Sequence, residues 1–267
     1  MKHVLTIAGS DSCGGAGIQA DLKAFSAWGV YGMSVVTALT AQNTAGVRAV
    51  NLVDPAFVSQ QLSAVFDDIR VDAVKIGMLG SEAIIRAVAS FLEGHRPPVL
   101  VLDPVMISKS GHALLPPEAV RALSETLLPL CDVLTPNLPE AGAIMGREVA
   151  DEQEALGAAR DLLVRGPKAI LMKGGHLPGE PVDYLVTARG TRRFPGVRID
   201  TPHTHGTGCS LASALTALLS RGVALETAVE KAKAYVAEGI RHGIALGKGH
   251  GPIHHFYRLY GGDECLL

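Results

Sequence analysis

Short apolar runs alternate with segments of helical periodicity along most of the chain, and this alternation constrains the fold more than any other feature. The first run, His3 to Ala8, leads through a glycine- and serine-rich loop into helical spacing over Ala16 to Trp28. The same patterns predict strands at 33–39, 47–53, 73–76, 99–102, 132–134 and 169–172, and helices at 55–66, 82–94, 117–128, 152–165, 208–219 and 225–246. Segments 182–186 and 192–197 predict an antiparallel pair.

This order of elements favours one α/β domain over residues 1–267, with a mostly parallel sheet covered by helices on both faces. The composition agrees, because 48% of the residues are hydrophobic and only 4% are aromatic. Such a composition suits strands that are buried on both faces. Ligands of these folds bind beyond the carboxyl ends of the strands, which is where the polar, glycine-rich segments of this chain fall.

Charge and cysteine content exclude several classes of function. A formal net charge of −2 gives no general basic field that would hold nucleic acid or an anionic membrane. The four cysteines show no CxxC spacing, which argues against a zinc ribbon or a redox dithiol. No apolar stretch approaches the roughly 18 residues of a membrane helix, and the first residues lack the apolar core of a signal peptide. We expect a cytoplasmic protein without nucleic-acid or membrane partners.

The segment from His205 to Ser210, sequence HGTGCS, leads directly into an alanine-rich helix and is the strongest local indication of function. Glycines let the backbone turn its N–H groups toward a ligand, and a helix N-terminus carries a partial positive charge of roughly half a unit. The segment therefore predicts a seat for a phosphoryl group or a developing oxyanion. The familiar phosphate motifs fail, because Gly15 replaces the lysine of a Walker A pattern and Leu211 replaces the third glycine of a dinucleotide fingerprint.

Several segments, in order along the chain, resemble the hydroxymethylpyrimidine/phosphomethylpyrimidine kinase family of the ribokinase superfamily. They are IAGSDS at 7–12, GGAGIQAD at 14–21, TAQNT at 40–44, KIGML at 75–79, LDPVM at 102–106, TPNLPEA at 135–141, KGGH at 173–176, HGTGC at 205–209 and GHGP at 249–252. The resemblance implies a ribokinase-like three-layer α/β/α sandwich. It also implies two ATP-dependent phosphorylations of 4-amino-5-hydroxymethyl-2-methylpyrimidine in thiamine biosynthesis, first to the monophosphate and then to the pyrophosphate, and a homodimer.

Phosphoryl transfer needs positioning, charge neutralisation and removal of a proton from the attacking oxygen. We assign the anion hole to Gly206, Thr207, Gly208 and Cys209. The wider superfamily usually carries Asp as the base at the position of Cys209, so this chain follows the pyrimidine-kinase branch instead. A thiol at a helix N-terminus can have a lowered pKa, and we hypothesise that Cys209 assists deprotonation of the substrate hydroxyl.

The nucleotide and its metal are assigned to residues at or just after strand ends. Hard carboxylate oxygens suit Mg²⁺, and by resemblance Asp103 and Glu140 organise Mg-ATP, partly through water. Asn137 and Lys173 are the ATP candidates, because an amide can donate to a phosphate oxygen and an ammonium supplies a point charge. Lys233, on a late helix, is a further ATP candidate.

The pyrimidine has a ring nitrogen beside an exocyclic amine, and the amide of Gln42 can satisfy such a donor–acceptor edge. Asp21 is expected to engage the hydroxymethyl region or to order the loop, Met78 to form an apolar wall, and Gly9 to allow close approach of the ring. His176, His205 and the pair His254-His255 show no metal-site spacing. Loops 9–15 and 108–111 are candidates for closure over the substrate, from their glycine and serine content.

Two alternatives stay open at this point. A pyridoxal or pyridoxine kinase of the same superfamily acts on similar flat, hydroxymethyl-bearing nitrogen heterocycles, and only the pyrimidine route needs a second phosphorylation. A non-catalytic ligand-binding protein on this fold is the other, and the coexistence of Asp103, Glu140 and Lys173 with the glycine-rich turn argues against it.

Overall fold

One mixed sheet forms the centre of the molecule. The computed structural model describes residues 1–106, 114–175 and 179–260. Its strands are β1 (His3–Asp11), β2 (Tyr31–Asn43), β3 (Gly46–Leu52), β4 (Ala73–Ile76), β5 (Leu100–Leu102), β6 (Val133–Leu134), β7 (Ala169–Met172), β8 (Asp183–Thr187) and β9 (Gly190–Phe194). Within the described residues the sheet order is β3-β2-β1-β4-β5-β6-β7-β8-β9. Along this order, neighbouring strands from β2 through β1, β4, β5 and β6 to β7 pair in parallel, whereas β3 pairs antiparallel with β2, β8 with β7 and β9 with β8.

Helices cover both faces of the sheet. They are α1 (Gly17–Ala27), α2 (Pro55–Phe66), α3 (Glu82–Gly94), α4 (Pro117–Ala122), α5 (Leu138–Met145), α6 (Glu152–Leu163), α7 (Thr207–Ser220), α8 (Leu225–Arg241) and α9 (Tyr257–Tyr260). The largest apolar cluster joins the sheet to α2, α3, α5 and α6. A second cluster joins it to α7 and α8. The predicted three-layer α/β/α sandwich with a mostly parallel sheet is confirmed.

Capping residues explain why several predicted helix starts are confirmed. Asp54 accepts hydrogen bonds from the backbone N–H groups of Ala56 and Phe57, and Pro55 occupies the first turn of α2. Ser81 caps α3 in the same way, by accepting from Ile84. These local signals depend on neighbouring residues only, and so the sequence is sufficient to find them.

Two helices end earlier than the sequence predicted. The helix predicted over 117–128 is α-helical only to Ala122 and continues as a π turn over 123–127 and a 3₁₀ turn over 128–130. Pro129 has no backbone N–H to donate to the carbonyl four residues earlier, so the α-helical hydrogen-bond ladder cannot continue through it. Helix α8 ends at Arg241 rather than at Leu246, because Gly243 packs against His203 and the chain turns away there.

The parallel register brings the carboxyl ends of the central strands to one edge of the sheet. Ile76 at the end of β4 pairs with Leu102 at the end of β5, which in turn pairs with Leu134 in β6. The residues that follow these ends are therefore neighbours in space although they lie far apart in the sequence.

Over the described residues, no helix combines the length and the apolar character needed to cross a membrane.

Candidate active site

A cavity of about 1090 Å³ opens at this edge of the sheet. Every predicted site residue except Asp21 lines it: Gly9, Gln42, Met78, Asp103, Asn137, Glu140, Lys173, Gly206, Thr207, Gly208, Cys209 and Lys233. The volume is large enough for a small heterocycle and a nucleotide together, since ligand pockets commonly measure about 300–1,000 Å³. The fold thus gathers into one place side chains that are spread from position 9 to position 233.

The turn before α7 presents backbone N–H groups to this cavity. Gly206 has a φ of +83°, and a Cβ there would overlap the carbonyl oxygen of Gly15, so only glycine fits. The N–H groups of Thr207 and Ser210 bond to Thr204 O and Gly206 O. The N–H groups of Gly208 and Cys209 have no acceptor within the helix, because the first turn lacks preceding carbonyls. Two donors are thereby left for an anion.

A cation lies next to these donors. A Cβ added to Gly208 would lie 3.6 Å from Lys173 Nζ and 3.9 Å from Asp103 Oδ2. Lys173 Nζ donates to Asp103 Oδ1 at 2.8 Å and lies 3.5 Å from Glu140 Oε2. The ammonium group therefore links the two carboxylates to the start of α7, where a phosphoryl group would sit.

Burial and mutual charge set the protonation of this cluster. Burial by itself would raise the pKa of Asp103, but the Lys173 and Lys75 cations outweigh it and lower that pKa below the ordinary value. Burial raises the pKa of Glu140 to about 7, against the opposing effect of Lys173. The two carboxylates raise the pKa of Lys173 despite its desolvation. Asp103 and Lys173 are thus charged at neutral pH, whereas Glu140 titrates there.

Asn137 and Glu140 are held by a reciprocal capping box at the start of α5. Asn137 Oδ1 accepts from the Glu140 N–H at 2.8 Å, and Glu140 Oε2 accepts from the Asn137 N–H at 2.8 Å. The side-chain amide nitrogen of Asn137 stays available to donate to a phosphate. The capping box comes a few residues after the end of β6. Lys173, which follows β7, donates its backbone N–H to Pro136 O, just before the box.

The carboxylates fit Mg²⁺ that is held mainly by a nucleotide. Asp103 Oδ1 accepts from Lys173 and from Thr135, and Glu140 Oε2 accepts from Asn137 N–H. Among the described residues, the other oxygen of each carboxylate accepts no hydrogen bond and can face a cation. No cluster of three or more His, Cys, Asp or Glu side chains capable of metal binding occurs among the described residues. This donor set suits Mg²⁺, which commonly takes one or two carboxylates and completes its shell with phosphates and water.

The thiol of Cys209 differs from the expectation based on the helix N-terminus. Burial raises its pKa to about 11, although the Lys75 cation lowers it, and Asp21 and Asp103 add to the increase. The side chain is only partly buried, so water in the cavity moderates this effect. The expected lowering of the pKa is therefore wrong for the unliganded protein, in which the group is a thiol at neutral pH.

Asp21 is placed beneath the cavity and not in it. Its side chain is fully buried, accepts hydrogen bonds from Thr6 and Ser213 at 2.6 and 2.7 Å, and is paired with Lys75 at 2.9 Å. The expectation that Asp21 contacts the substrate or orders the loop is corrected by this position. An acidic residue in a helix of unknown packing gives no sign from the sequence that it will be buried with a lysine.

Lys233 lines the cavity but already has a partner. Its Nζ donates to Asp183 Oδ2 at 2.7 Å and to Pro181 O at 3.0 Å. Asp183 also accepts from the backbone N–H of Gly174, next to Lys173. The ATP role of Lys233 stays a prediction, since the residue lies on the cavity wall with its charge balanced by Asp183.

The remaining predicted substrate residues line the same cavity. A Cβ on Gly9 would lie 3.3 Å from Met78 Sδ, so glycine permits the close approach at this point. Gln42 lies beside His205, whose Nε2 is 2.8 Å from Asp11 Oδ2. No role was predicted from the sequence for His205 or Asp11, yet both line the cavity. His205 is the first residue of HGTGC and Asp11 belongs to IAGSDS, and membership of these segments was the available signal. His176 and loop 108–111 lie outside the described residues.

Comparison with known proteins places the chain among vitamin kinases. A family model described as phosphomethylpyrimidine kinase matches residues 11–254. A hydroxymethylpyrimidine/phosphomethylpyrimidine kinase of Escherichia coli is 50% identical over 263 residues, 96% of this chain and 99% of the relative. A crystal structure of phosphomethylpyrimidine kinase from Clostridium difficile superposes with a TM-score of 0.81 at 48% identity, covering 90% of this chain and 100% of that chain. An ADP complex of Bacillus subtilis pyridoxal kinase gives 0.89 at 37% identity, covering 96% and 97%.

Proposed function

The chain belongs to the phosphomethylpyrimidine kinase family, and we propose a specific division of labour in its cavity for the two phosphorylations. It is an ATP-dependent kinase of thiamine biosynthesis that converts 4-amino-5-hydroxymethyl-2-methylpyrimidine to the monophosphate and then to the pyrophosphate. The observation that carries the division is the shared cavity. Lys173, Asp103 and Glu140 stand at the start of α7, and Gln42 lies in the same space.

The pyrimidine lies at the Gln42 end, with its ring edge against the amide and its face near Met78. Gly9 leaves room for the ring, since a larger residue there would press on Met78. The hydroxymethyl group then points toward Cys209 and the start of α7. The nucleotide occupies the remainder of the cavity, where Asn137, Lys173 and Lys233 supply donors to its phosphates.

The backbone donors of α7 take up the negative charge that develops on the transferred phosphoryl group. The N–H groups of Gly208 and Cys209 are fixed by the helix, so they need no reorganisation during the reaction. Lys173 adds a positive charge next to them. When bound, Mg²⁺ would neutralise phosphate charge, held by the free oxygens of Asp103 and Glu140 with phosphates and water as its other ligands.

Cys209 accepts the proton of the substrate hydroxyl in the first step. The thiol is protonated in the unliganded protein, so it first releases its own proton to water in the cavity, and the resulting thiolate then takes the hydroxyl proton while the alcohol oxygen attacks the γ-phosphorus and ADP leaves. Lys75 lies beneath it and already favours the thiolate. In the second step the nucleophile is a phosphate monoester, which is largely ionised at neutral pH. That step therefore needs no base of comparable strength.

We also propose that the active unit is a homodimer in the cytoplasm, where ATP is supplied. An association surface at the outermost strand β3 is supported by three exposed apolar side chains, which are Leu39 on β2, Leu52 on β3 and Phe57 on α2. Analytical ultracentrifugation tests the assembly, and a monomer at micromolar concentration contradicts it. Residues 1–267 act as a single kinase domain in this proposal.

Mass analysis of products tests the function. The protein is incubated with Mg-ATP and the pyrimidine alcohol, and separately with pyridoxal. We expect two successive mass increases, each of one phosphoryl group, from the pyrimidine. A single phosphorylation of pyridoxal with no reaction of the pyrimidine would favour the pyridoxal kinase alternative. This alternative is the relevant one because the fold is similar to that of a pyridoxal kinase. ATP that stays intact with both compounds would favour the non-catalytic alternative.

A further inference from the structure

The side-chain amide of Gln42 is surrounded by a small network of polar groups. Its Nε2 position lies 3.4 Å from His205 Nε2, which is 2.8 Å from Asp11 Oδ2. Its Oε1 position lies 3.3 Å from Thr40 Oγ1, which is 2.9 Å from the carbonyl oxygen of Ser10. On both sides, the atom next to the amide therefore has a shorter contact with a third group: His205 Nε2 with Asp11, and Thr40 Oγ1 with Ser10.

Asp11 determines which atom of His205 carries the proton. Its Oδ2 accepts from the backbone N–H groups of Gly15 and Ala16, and its Oδ1 accepts from that of Cys13. Burial opposes ionisation, but the contact with His205 and these amides outweighs it and lowers the pKa of Asp11. An ionised carboxylate only accepts hydrogen bonds, so His205 Nε2 must carry hydrogen and donate it to Asp11.

The amide of Gln42 therefore cannot place its nitrogen against His205, since two donors would face each other. The Thr40 flank leads to the same conclusion independently. Thr40 has one hydroxyl hydrogen, which the shorter contact assigns to Ser10 O, so the amide oxygen would face oxygen lone pairs there. Oxygen and nitrogen of an amide are told apart by their hydrogen-bond partners. Exchanging them removes both conflicts.

We propose that Asp11 and His205 are positioning residues that fix the polarity of the Gln42 amide. Its oxygen faces His205, and its nitrogen faces Thr40. One N–H and one lone pair of the amide then stay free for a ligand, as a donor–acceptor edge of fixed handedness. This inference rests on the proposed function, in which Gln42 contacts the substrate ring.

The fixed edge gives a criterion for substrate choice. A ring nitrogen that accepts must lie on the Thr40 side, and an exocyclic amine that donates must lie on the His205 side. A 4-amino pyrimidine offers this pair. The corresponding 4-oxo pyrimidine offers a ring N–H beside a carbonyl oxygen, which is the reverse order, so donor would meet donor and acceptor would meet acceptor. A buried site built to match one pattern rejects the other strongly.

The ratio of kcat/KM for the 4-amino alcohol to that for the 4-oxo alcohol measures this polarity. The wild-type enzyme is expected to prefer the amino compound. His205→Phe keeps a ring but removes the donor, so the Gln42 amide is free to turn. The ratio should then fall by about tenfold, because one hydrogen bond near the upper end of the usual energy range is worth about that factor. His205→Gln retains an N–H donor and should restore most of the preference. The KM for ATP should not change in either variant.

Other outcomes separate the inference from the function on which it rests. An unchanged ratio in His205→Phe, with a raised KM for ATP or a lowered kcat, would assign His205 to the turn before α7 and overturn the inference. Inactivity of the wild-type enzyme on the 4-amino alcohol would instead reject the proposed function. Thr40→Val tests the second flank and decides the matter if His205→Phe does not fold, since an unchanged ratio there also overturns the inference. His95→Phe, at an exposed histidine, is the matched control.

Discussion

Lys75 Nζ lies 2.9 Å from Asp21 Oδ2, and neither side chain has any exposure to solvent. Thr6 and Ser213 complete the hydrogen bonds of the carboxylate. Ser213 stands one helical turn after Cys209 on the same face of α7, so the ion pair supports the helix that carries the anion seat. The pair is therefore part of the floor of the site.

Asp21→Asn should strongly destabilise the protein. It leaves the Lys75 ammonium buried without a counter-charge, and breaking such a pair costs about 3–5 kcal/mol. Adding Lys75→Met removes the stranded charge and should recover a substantial part of the loss. The free energy of unfolding in urea measures both. Glu82→Gln, which breaks the exposed pair with Arg86, is the control and should cost less than about 1 kcal/mol. Similar losses in Asp21→Asn and Glu82→Gln would contradict the prediction.

Cys209→Ala should affect the two phosphorylations unequally. If Cys209 removes the hydroxyl proton, kcat for the pyrimidine alcohol falls by about 10²–10⁴, the usual contribution of general base catalysis. The rate on the monophosphate should fall much less, because that nucleophile is already ionised. Separate initial rates with each substrate give the comparison. A near-normal kcat on the alcohol would show that Cys209 is not the base, and Cys131→Ala, at a buried cysteine outside the cavity, controls for loss of a thiol.

Glu140→Gln should raise the KM for Mg-ATP and weaken the dependence of the rate on Mg²⁺. Glutamine removes the charge that would face the cation, yet its carbonyl oxygen can still accept from Asn137 N–H, so the capping box of α5 survives. Titration of Mg²⁺ at fixed ATP measures the change. Glu154→Gln is the matched control, because Glu154 also accepts a hydrogen bond from a backbone N–H, that of Ala150, near the start of α6. Kinetics in Glu140→Gln equal to those of Glu154→Gln would exclude the metal role.

Gln42→Ala should weaken binding of the pyrimidine and leave ATP binding intact. The amide faces the proposed ring position, and its loss removes up to two hydrogen bonds to the ring edge, whereas the donors proposed for ATP, Asn137 and Lys173, are untouched. The KM for the alcohol should rise by at least about tenfold. Isothermal titration with each ligand separates the two affinities. Equal weakening for both ligands would indicate a structural role for Gln42.

His255 should make the protein less stable as the pH falls below about 6.5. Burial lowers the pKa of His255 to about 3, with smaller effects of Lys23 and His254. The unfolded chain then binds a proton that the folded chain refuses, so stability is full above the unfolded pKa and declines below it. Between pH 7.5 and 5.5 the loss from this group is roughly 1 kcal/mol.

The measurement is urea unfolding at both pH values for the wild type and for His255→Asn. The variant should lose less stability between the two, by about that amount. His250→Asn, at an exposed histidine, should behave as the wild type. Equal pH dependence in the wild type and in His255→Asn would show that His255 is not the titrating group.

The amino-acid sequence by itself determined the strands, most of the helices and the polar residues at the centre of the cavity, although helix α5 (Leu138–Met145) was not predicted. Buried runs such as 73–76 and 169–172, and caps such as Asp54 and Ser81, depend on local chemistry. The glycine-rich turn at 206–208 and the polar residues after β5, β6 and β7 follow from the same patterns. Since parallel strands end at one edge, predicting the strands was sufficient to bring Asp103, Asn137 and Lys173 together.

Only the tertiary structure decided what each polar side chain contacts. Asp21 was expected in the cavity and lies under it, because Lys75, 54 residues away, supplies its counter-charge. No role was predicted for His205, whereas the fold places it between Asp11 and Gln42. The protonation of Cys209 and Glu140 likewise depends on burial and on charges from other strands. Electrostatic energies depend on the distances between charges in space, and these distances cannot be read from the spacing of residues along the chain.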